Sequence, residues 1–164
     1  MDFMEAVKTC LSKYFDFKGR ARRSEYWWFY LFTIIGSIIT SIIDTIIFGV
    51  ESAVNGGVIS LIFSLAVIIP TISAAARRLH DTNRSGWWQL LPLTPLLILI
   101  LAGVMIAAAG GSAGSASAVL IVVGVIAMLA TIILLIVWLA TDGHKTDNRF
   151  GPSPKYGFSA GTFD

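Results

Sequence analysis

Residues 117–140 read SAVLIVVGVIAMLATIILLIVWLA, a run of 24 residues without a charged side chain. An α-helix needs about 20 predominantly apolar residues to cross the roughly 30 Å hydrocarbon core of a bilayer. A helix also satisfies its own backbone hydrogen bonds there, where lipid offers no partners. The run is therefore predicted to be a membrane-spanning helix.

Three further apolar runs precede it, at residues 26–48, 58–76 and 87–109. The whole chain is 55% hydrophobic and only 13% charged, with a mean hydropathy of +0.77, which is too apolar for an ordinary soluble domain. A β-barrel is excluded because its strands alternate apolar and polar residues, whereas adjacent apolar residues dominate these runs. The sequence predicts an all-α polytopic membrane protein with four transmembrane helices.

The basic residues predict an orientation for these spans. All twelve lie in three of the five polar stretches, and the connections near 49–57 and 110–116 contain none. Lys and Arg beside membrane spans stay in the cytoplasm, so we expect both termini and the middle loop there. The chain is then one integral membrane domain: a cytoplasmic basic segment (1–25), a four-helix transmembrane bundle (26–140) and a cytoplasmic tail (141–164).

The tryptophans support the same orientation. Indole rings prefer the headgroup level of a membrane. All five tryptophans lie at run ends that face the predicted inner surface, and we interpret them as interface anchors: Trp27, Trp28, Trp87, Trp88 and Trp138.

Residues 2–15 are predicted to form a short amphipathic helix on the inner membrane surface. Asp2 and Glu5 have the spacing of a capping box at a helix N-terminus. Apolar side chains recur at helical spacing along it, at Phe3, Val7, Cys10, Leu11 and Tyr14. The alternative is a cytosolic helix that packs against the bundle.

Four residues inside the runs depart from the apolar pattern. Pro70, Pro92 and Pro95 each remove a backbone donor and predict a kink. Asp44 is the one ionisable residue within a run. It lies about four residues, or roughly 6 Å, from the outer end, so we expect its carboxylate to reach the headgroups. No second charge lies at comparable depth, which argues against a proton relay.

Three polar segments carry the motifs of the chain: GRARRSEYWWF (19–29), RRLHDTNRSGWW (77–88) and DNRFGPSP (147–154). They resemble the three signatures of the domain of unknown function 805 family, small bacterial inner-membrane proteins of the YhaH/YhaI type. The resemblance implies a multi-pass protein of the bacterial plasma membrane and supplies no reaction. Asn83 stands where the family usually has Gly, and Asn also tolerates a left-handed turn.

Because the three segments are expected on one face of the bundle, we predict that they meet in a cytoplasmic cap. Its arginines have three readings: structural ion pairs with the carboxylates among them, a site for lipid phosphate or another anion, or simple topological signals. The candidate cap residues are Arg20, Arg23, Glu25, Arg77, Arg78, His80, Asp81, Arg84, Asp147 and Asn148.

A weaker hypothesis is a divalent-metal or hydrolytic site. Imidazole and carboxylate groups are plausible ligands, and the chain offers His80, Asp81, His144 and Asp147. The surrounding arginines would repel a dication. The expectation is therefore no metal, no cofactor and no catalytic residue.

These observations predict a non-enzymatic scaffold or binding module. Its expected partners are the lipid bilayer with its anionic headgroups, and a second copy or another membrane protein; nucleic acid is not expected. A small-molecule transporter or channel subunit is the alternative, and a membrane-bound metal-dependent enzyme is the third possibility.

Overall fold

The computed structural model describes residues 1–51, 56–112 and 114–156. Its helices are α1 (Phe3–Ser12), α2 (Arg23–Phe48), α3 (Val58–Asp81), α4 (Leu93–Ala108) and α5 (Ser115–Ala140), with a 3₁₀ helix (Gly86–Leu90) before α4. Within the described ranges the β pairing is limited to one bridge between Asn148 and Gly151. The all-α prediction is confirmed, and four helices are long and apolar enough to cross a membrane.

The chain forms two compact units. The first contains residues 1–86 and the described part of the tail, 142–156; the second is Trp87–Thr141. Each unit is built on one helical hairpin, α2 with α3 in the first and α4 with α5 in the second. Helix α3 continues five residues beyond the predicted second span, from 76 to Asp81.

Close packing joins α2 to α3 in the middle of their hairpin. Gly36 of α2 lies directly against the ring of Phe63, and a Cβ at this position would collide with that ring. Phe32 of α2 also contacts Phe63, with ring centroids 6.2 Å apart. A small residue opposite an aromatic ring lets the two backbones approach, which is how helices associate in lipid.

Asp44 joins the C-terminal end of α2 to the N-terminal end of α3. Its carboxylate is fully buried and accepts hydrogen bonds from the backbone N–H of Ile59 at 3.0 Å, and from the N–H and hydroxyl of Ser60 at 2.8 and 2.7 Å. The expectation that Asp44 reaches the headgroups is wrong. The first turn of α3 has unpaired N–H groups, and a carboxylate from the neighbouring helix satisfies them.

Replacing Asp44 by Ala should lower the thermal stability of the protein in detergent. The change removes three hydrogen bonds to a charged group, and we expect a loss of about 3 kcal/mol. The matched control is Thr45→Ala, because the Thr45 hydroxyl donates only to Ser41 of its own helix. Equal melting temperatures for the two variants would contradict the capping role of Asp44.

Pro70 lies inside α3, which continues across it, and its side chain is buried. Proline has no N–H, so the carbonyl of Ala66, four residues earlier, loses its helical donor. The Tyr14 hydroxyl donates to that carbonyl at 2.7 Å. One turn further along α3, the Ser73 hydroxyl donates to the carbonyls of Lys13 and Asp16. The segment after α1 is thus bonded to α3 where proline interrupts the hydrogen-bond ladder.

Helix α1 begins with the predicted capping box between Asp2 and Glu5. Of its apolar stripe, Val7 and Cys10 are buried in the contact with α2 and α3. Phe3 packs edge-on against Trp28 of α2, with ring centroids 5.9 Å apart. Met4 and Leu11 remain exposed, as does Phe15 just after the helix, and the charged side chains of Glu5 and Lys8 are exposed beside them. Exposed apolar side chains mixed with charged ones suit a helix at the membrane interface.

In the second unit, the predicted third span of 87–109 is not one α-helix. A 3₁₀ helix ends at Leu90 and α4 begins at Leu93. Pro92 precedes the first turn of α4 and Pro95 lies in it, where N–H groups have no helical partner, so neither proline kinks the helix. Gly124 of α5 lies against Leu99 of α4, which leaves no room for a side chain.

Candidate functional site

Three segments of the first unit meet at the start of α2 and the end of α3. We call this region the polar cap and define it as residues 19–25, 77–86 and 142–156. The backbone N–H of Ala21 donates to the carbonyl of Arg77, and the N–H of His144 donates to the carbonyl of Asp81. The predicted meeting of the three segments is confirmed.

The Asp81 carboxylate is the centre of the polar cap. One oxygen accepts from the Nε of Arg20 at 2.9 Å and lies 2.8 Å from its Nη2, and the other pairs with Nη1 of Arg78 at 2.5 Å. All three side chains are at most 7% exposed. The remaining donors of Arg20 bind tail carbonyls: Thr146 at 2.9 Å, Gly151 at 3.2 Å and His144 at 2.5 Å. Arg20 therefore ties the tail to α3.

A second buried ion pair joins α2 to α3. Arg77 pairs with Glu25, and both side chains are at most 5% exposed. Within the described residues Nε and Nη2 of Arg77 have no hydrogen-bond partner, so this pair is less completely satisfied than the one at Asp81. The Cys10 thiol of α1 lies 4.0 Å from the Glu25 carboxylate. Burial, with Glu25 adding to it, raises the pKa of this thiol to about 11, so Cys10 stays protonated at neutral pH.

The end of α3 and the tail are joined by an aromatic stack. The rings of His80 and Phe150 lie parallel, with centroids 3.9 Å apart, and the Arg149 guanidinium sits over the Phe150 ring. The Nδ1 atom of His80 lies 3.1 Å from the carbonyl of Gly19. The Asn148 amide donates to the carbonyl of His80 at 2.9 Å. His80 thus contacts both other segments of the polar cap.

The turn after α3 explains the departure at Asn83. This residue has φ of 59°, the left-handed conformation for which Asn is suited. The N–H of Asn83 bonds to the carbonyl of His80, and the N–H of Arg84 bonds to that of Leu79. This is a Schellman motif, which closes the helix by satisfying its last carbonyls. Asn83 thus tolerates the left-handed turn, as the sequence predicted.

The remaining candidate residues bond to the loop after α3 and to the tail. Arg84 donates to the carbonyl of Thr82 at 3.3 Å, and Asp147 accepts from the N–H of Ser153 at 3.2 Å. Arg23 pairs with Asp142 on the surface at 2.9 Å. In the described ranges no group of three His, Cys, Asp or Glu residues is placed to hold a metal ion. The structure gives the metal hypothesis no support, because Asp81 is paired with arginines.

A surface cleft of about 300 Å³ opens beside the first turn of α2. Arg22 and Arg23 line it from the helix, and Lys155 lines it from the tail. In the part of the chain that the structure describes, the N-cap residue of α2, Arg22, makes no side-chain capping hydrogen bond. The other lining residues are Ser24, Asp81, Asp142, Gly143, His144, Ser153 and Tyr156.

Sequence reasoning missed most of the cleft. Arg22 and Lys155 were counted only as topological charges, and Asp142 was not singled out. The available signal was that Arg22 lies four residues before the predicted first run, which begins at residue 26. The pairing of the helix start with residues 142–156 depends on folding and has no sequence signal.

Comparison with known proteins identifies the family of the chain. Residues 14–152 match the family described as Protein of unknown function (DUF805). The chain belongs to the DUF805 family. With its four candidate spans, it is an integral inner-membrane protein of that family.

Two relatives from Escherichia coli (strain K12) cover most of this DUF805 protein. Inner membrane protein YhaH is 32% identical over 145 residues, which is 88% of this chain and 92% of the relative. Inner membrane protein YhaI is 32% identical over 156 residues, or 94% and 98% of the two chains. No solved structure matches the chain.

Replacing Asp81 by Ala should strongly destabilise this DUF805 protein. The change leaves Arg20 and Arg78 buried without their counter-charge, which costs about 4 kcal/mol for a buried pair. Asp142→Ala is the matched control, because it breaks an exposed pair worth at most about 1 kcal/mol. Thermal unfolding in detergent separates the two, and a similar small effect for both would show that the buried network does not hold the polar cap together.

Proposed function

We propose that this protein is a non-enzymatic binding module of the inner membrane, whose polar cap holds the phosphate of an anionic lipid headgroup in the surface cleft. The observation that carries the proposal is the position of the start of α2, whose N-cap side chain makes no capping hydrogen bond, inside a cleft lined by Arg22, Arg23 and Lys155. The free N–H groups and positive dipole end of a helix N-terminus favour an anion.

The charge balance of the cleft supports this proposal. Asp81 lines the cleft, but Arg20 and Arg78 already match its charge from the buried side. Among the described lining residues, three cations therefore accompany one other carboxylate, that of Asp142. A hydrogen bond with Tyr156 raises the pKa of Lys155, so Lys155 remains charged at neutral pH. The excess positive charge favours an anionic ligand.

The position of the cleft along α2 favours a headgroup over a dissolved anion. Arg22 and Arg23 are followed within two helical turns by Trp27 and Trp28. Tryptophan prefers the headgroup level of the membrane. The cleft then lies at the height where lipid phosphates are concentrated, and arginine matches phosphate with two parallel hydrogen bonds.

The hydroxyl groups of α2 support binding over transport. Thr33, Ser37, Thr40 and Thr45 each donate to a carbonyl one turn earlier in their own helix. The donor of each of these hydroxyl groups is thus used within α2, so these side chains do not form a polar path for a solute.

The binding test compares two double variants that each remove two positive charges. Arg22→Gln with Lys155→Gln changes the cleft, and Lys8→Gln with Lys18→Gln changes exposed lysines outside it. Short-chain phosphatidylglycerol is titrated into detergent-solubilised protein and followed by calorimetry. We expect the cleft variant to bind about tenfold more weakly, because charge-assisted hydrogen bonds are lost, and the control to bind like the wild type.

Two further titrations identify the source of the phosphate. Inorganic phosphate tests for a free anion, and phosphatidylcholine tests for a zwitterionic headgroup. Binding of phosphatidylglycerol that is equal in both double variants, or absent in all proteins, would defeat the proposal.

We also propose that the polar cap faces the cytoplasm, with both termini inside. Cysteines introduced at exposed positions 115 and 145 test this, because Ser115 starts α5 and Lys145 belongs to the polar cap. Native Cys10 is buried and protonated, so it should not react. A membrane-impermeant maleimide should label intact cells at Ser115→Cys and should label Lys145→Cys only after permeabilisation. The reverse pattern would refute the orientation.

A further inference from the structure

Asp142 is a carboxylate in the cleft that pairs with one of the lining arginines. Its Oδ1 lies 2.9 Å from Nη2 of Arg23, and the side chains of this pair are 66% and 48% exposed, respectively. Asp142 and Lys155 line the same cleft, and Asp142 adds, after the larger effect of Tyr156, to the raised pKa of that lysine. The carboxylate of Asp142 therefore lies among the cations of the cleft and pairs directly with one of them, Arg23.

We infer that Asp142 is an internal competitor for the anion site, whose carboxylate occupies the place at Arg23 that a ligand phosphate takes. This inference rests on the proposed function of the cleft. A phosphate that binds Arg23 must displace Asp142, so Asp142 sets the affinity of the site and its selectivity. A singly charged carboxylate ligand would only replace Asp142, whereas phosphate offers more acceptor oxygens to the same guanidinium.

The structure makes this exchange feasible at Asp142 and not at Asp81. Both residues pair with arginine, but Asp81 is buried and each of its carboxylate oxygens is paired with a buried arginine. Breaking a buried pair leaves uncompensated charges, whereas an exposed pair is weak and screened by water. Displacing Asp142 from Arg23 therefore costs little free energy, whereas displacing Asp81 from its arginines would leave buried charges unpaired.

The neighbouring residues allow the side chain of Asp142 to move without releasing the tail. His144, two residues later, is anchored through its N–H to Asp81 and through its carbonyl to Arg20. Gly143 between them lies against the Asp81 carboxylate, where a Cβ would collide. The backbone is thus held directly after Asp142, and displacement of its carboxylate involves the side chain alone.

The test measures phosphatidylglycerol binding to Asp142→Asn, which keeps the size of the side chain and removes its charge. We expect about fivefold tighter binding than in the wild type, since an exposed ion pair no longer competes. The matched control is Glu51→Gln, an exposed carboxylate just beyond the other end of α2, which should bind like the wild type. Melting temperatures of both variants should stay close to that of the wild type.

The outcomes separate this inference from the proposed function. Tighter binding by Asp142→Asn with no change in Glu51→Gln supports the competitor role. Unchanged or weaker binding by Asp142→Asn overturns it, even if Arg22→Gln with Lys155→Gln weakens binding and the cleft itself stands. Wild-type protein that binds no phosphatidylglycerol overturns both.

Discussion

The polar cap depends on the buried carboxylate of Asp81 between Arg20 and Arg78. Arg20 and Asp81 are 61 residues apart, and the same arginine reaches tail carbonyls up to 131 residues away. A buried charge is tolerated only when it is paired and hydrogen-bonded. All three chain segments must therefore be in place together, because each supplies part of what the buried charges require.

The same constraint acts along the whole α2–α3 hairpin. Near the end of α2 the Asp44 carboxylate accepts hydrogen bonds from the first N–H groups of α3, and farther along α3 the Tyr14 hydroxyl donates to the carbonyl that Pro70 leaves without a donor. Lipid supplies no hydrogen bonds, so polar groups near it must find partners within the protein. These contacts distinguish the hairpin from a generic pair of apolar helices and select one arrangement of α1, α2 and α3.

The arginines of the polar cap fall into two groups that cannot be distinguished in the sequence. Arg20, Arg77 and Arg78 are buried and paired, as the ion-pair reading predicted, whereas Arg22 and Arg23 are exposed beside the cleft. The spans and the meeting of the polar segments were predictable, since apolar length and charge spacing are local properties. The burial of Asp44 could not be predicted, because it needs a partner on another helix. The break before α4 could not be predicted either, because it depends on where α4 begins around two prolines.

The sequence by itself determined that this is a helical membrane protein with four spans, because the bilayer imposes a length, an apolar surface and internal backbone hydrogen bonding that can be read residue by residue. Only the tertiary structure decided which charges hold the protein together and which line a cleft. That division is set by burial, and burial depends on contacts between segments far apart in the chain. Asp81 and Asp142 are alike as residues, and they differ because Asp81 lies between two buried arginines and Asp142 faces water.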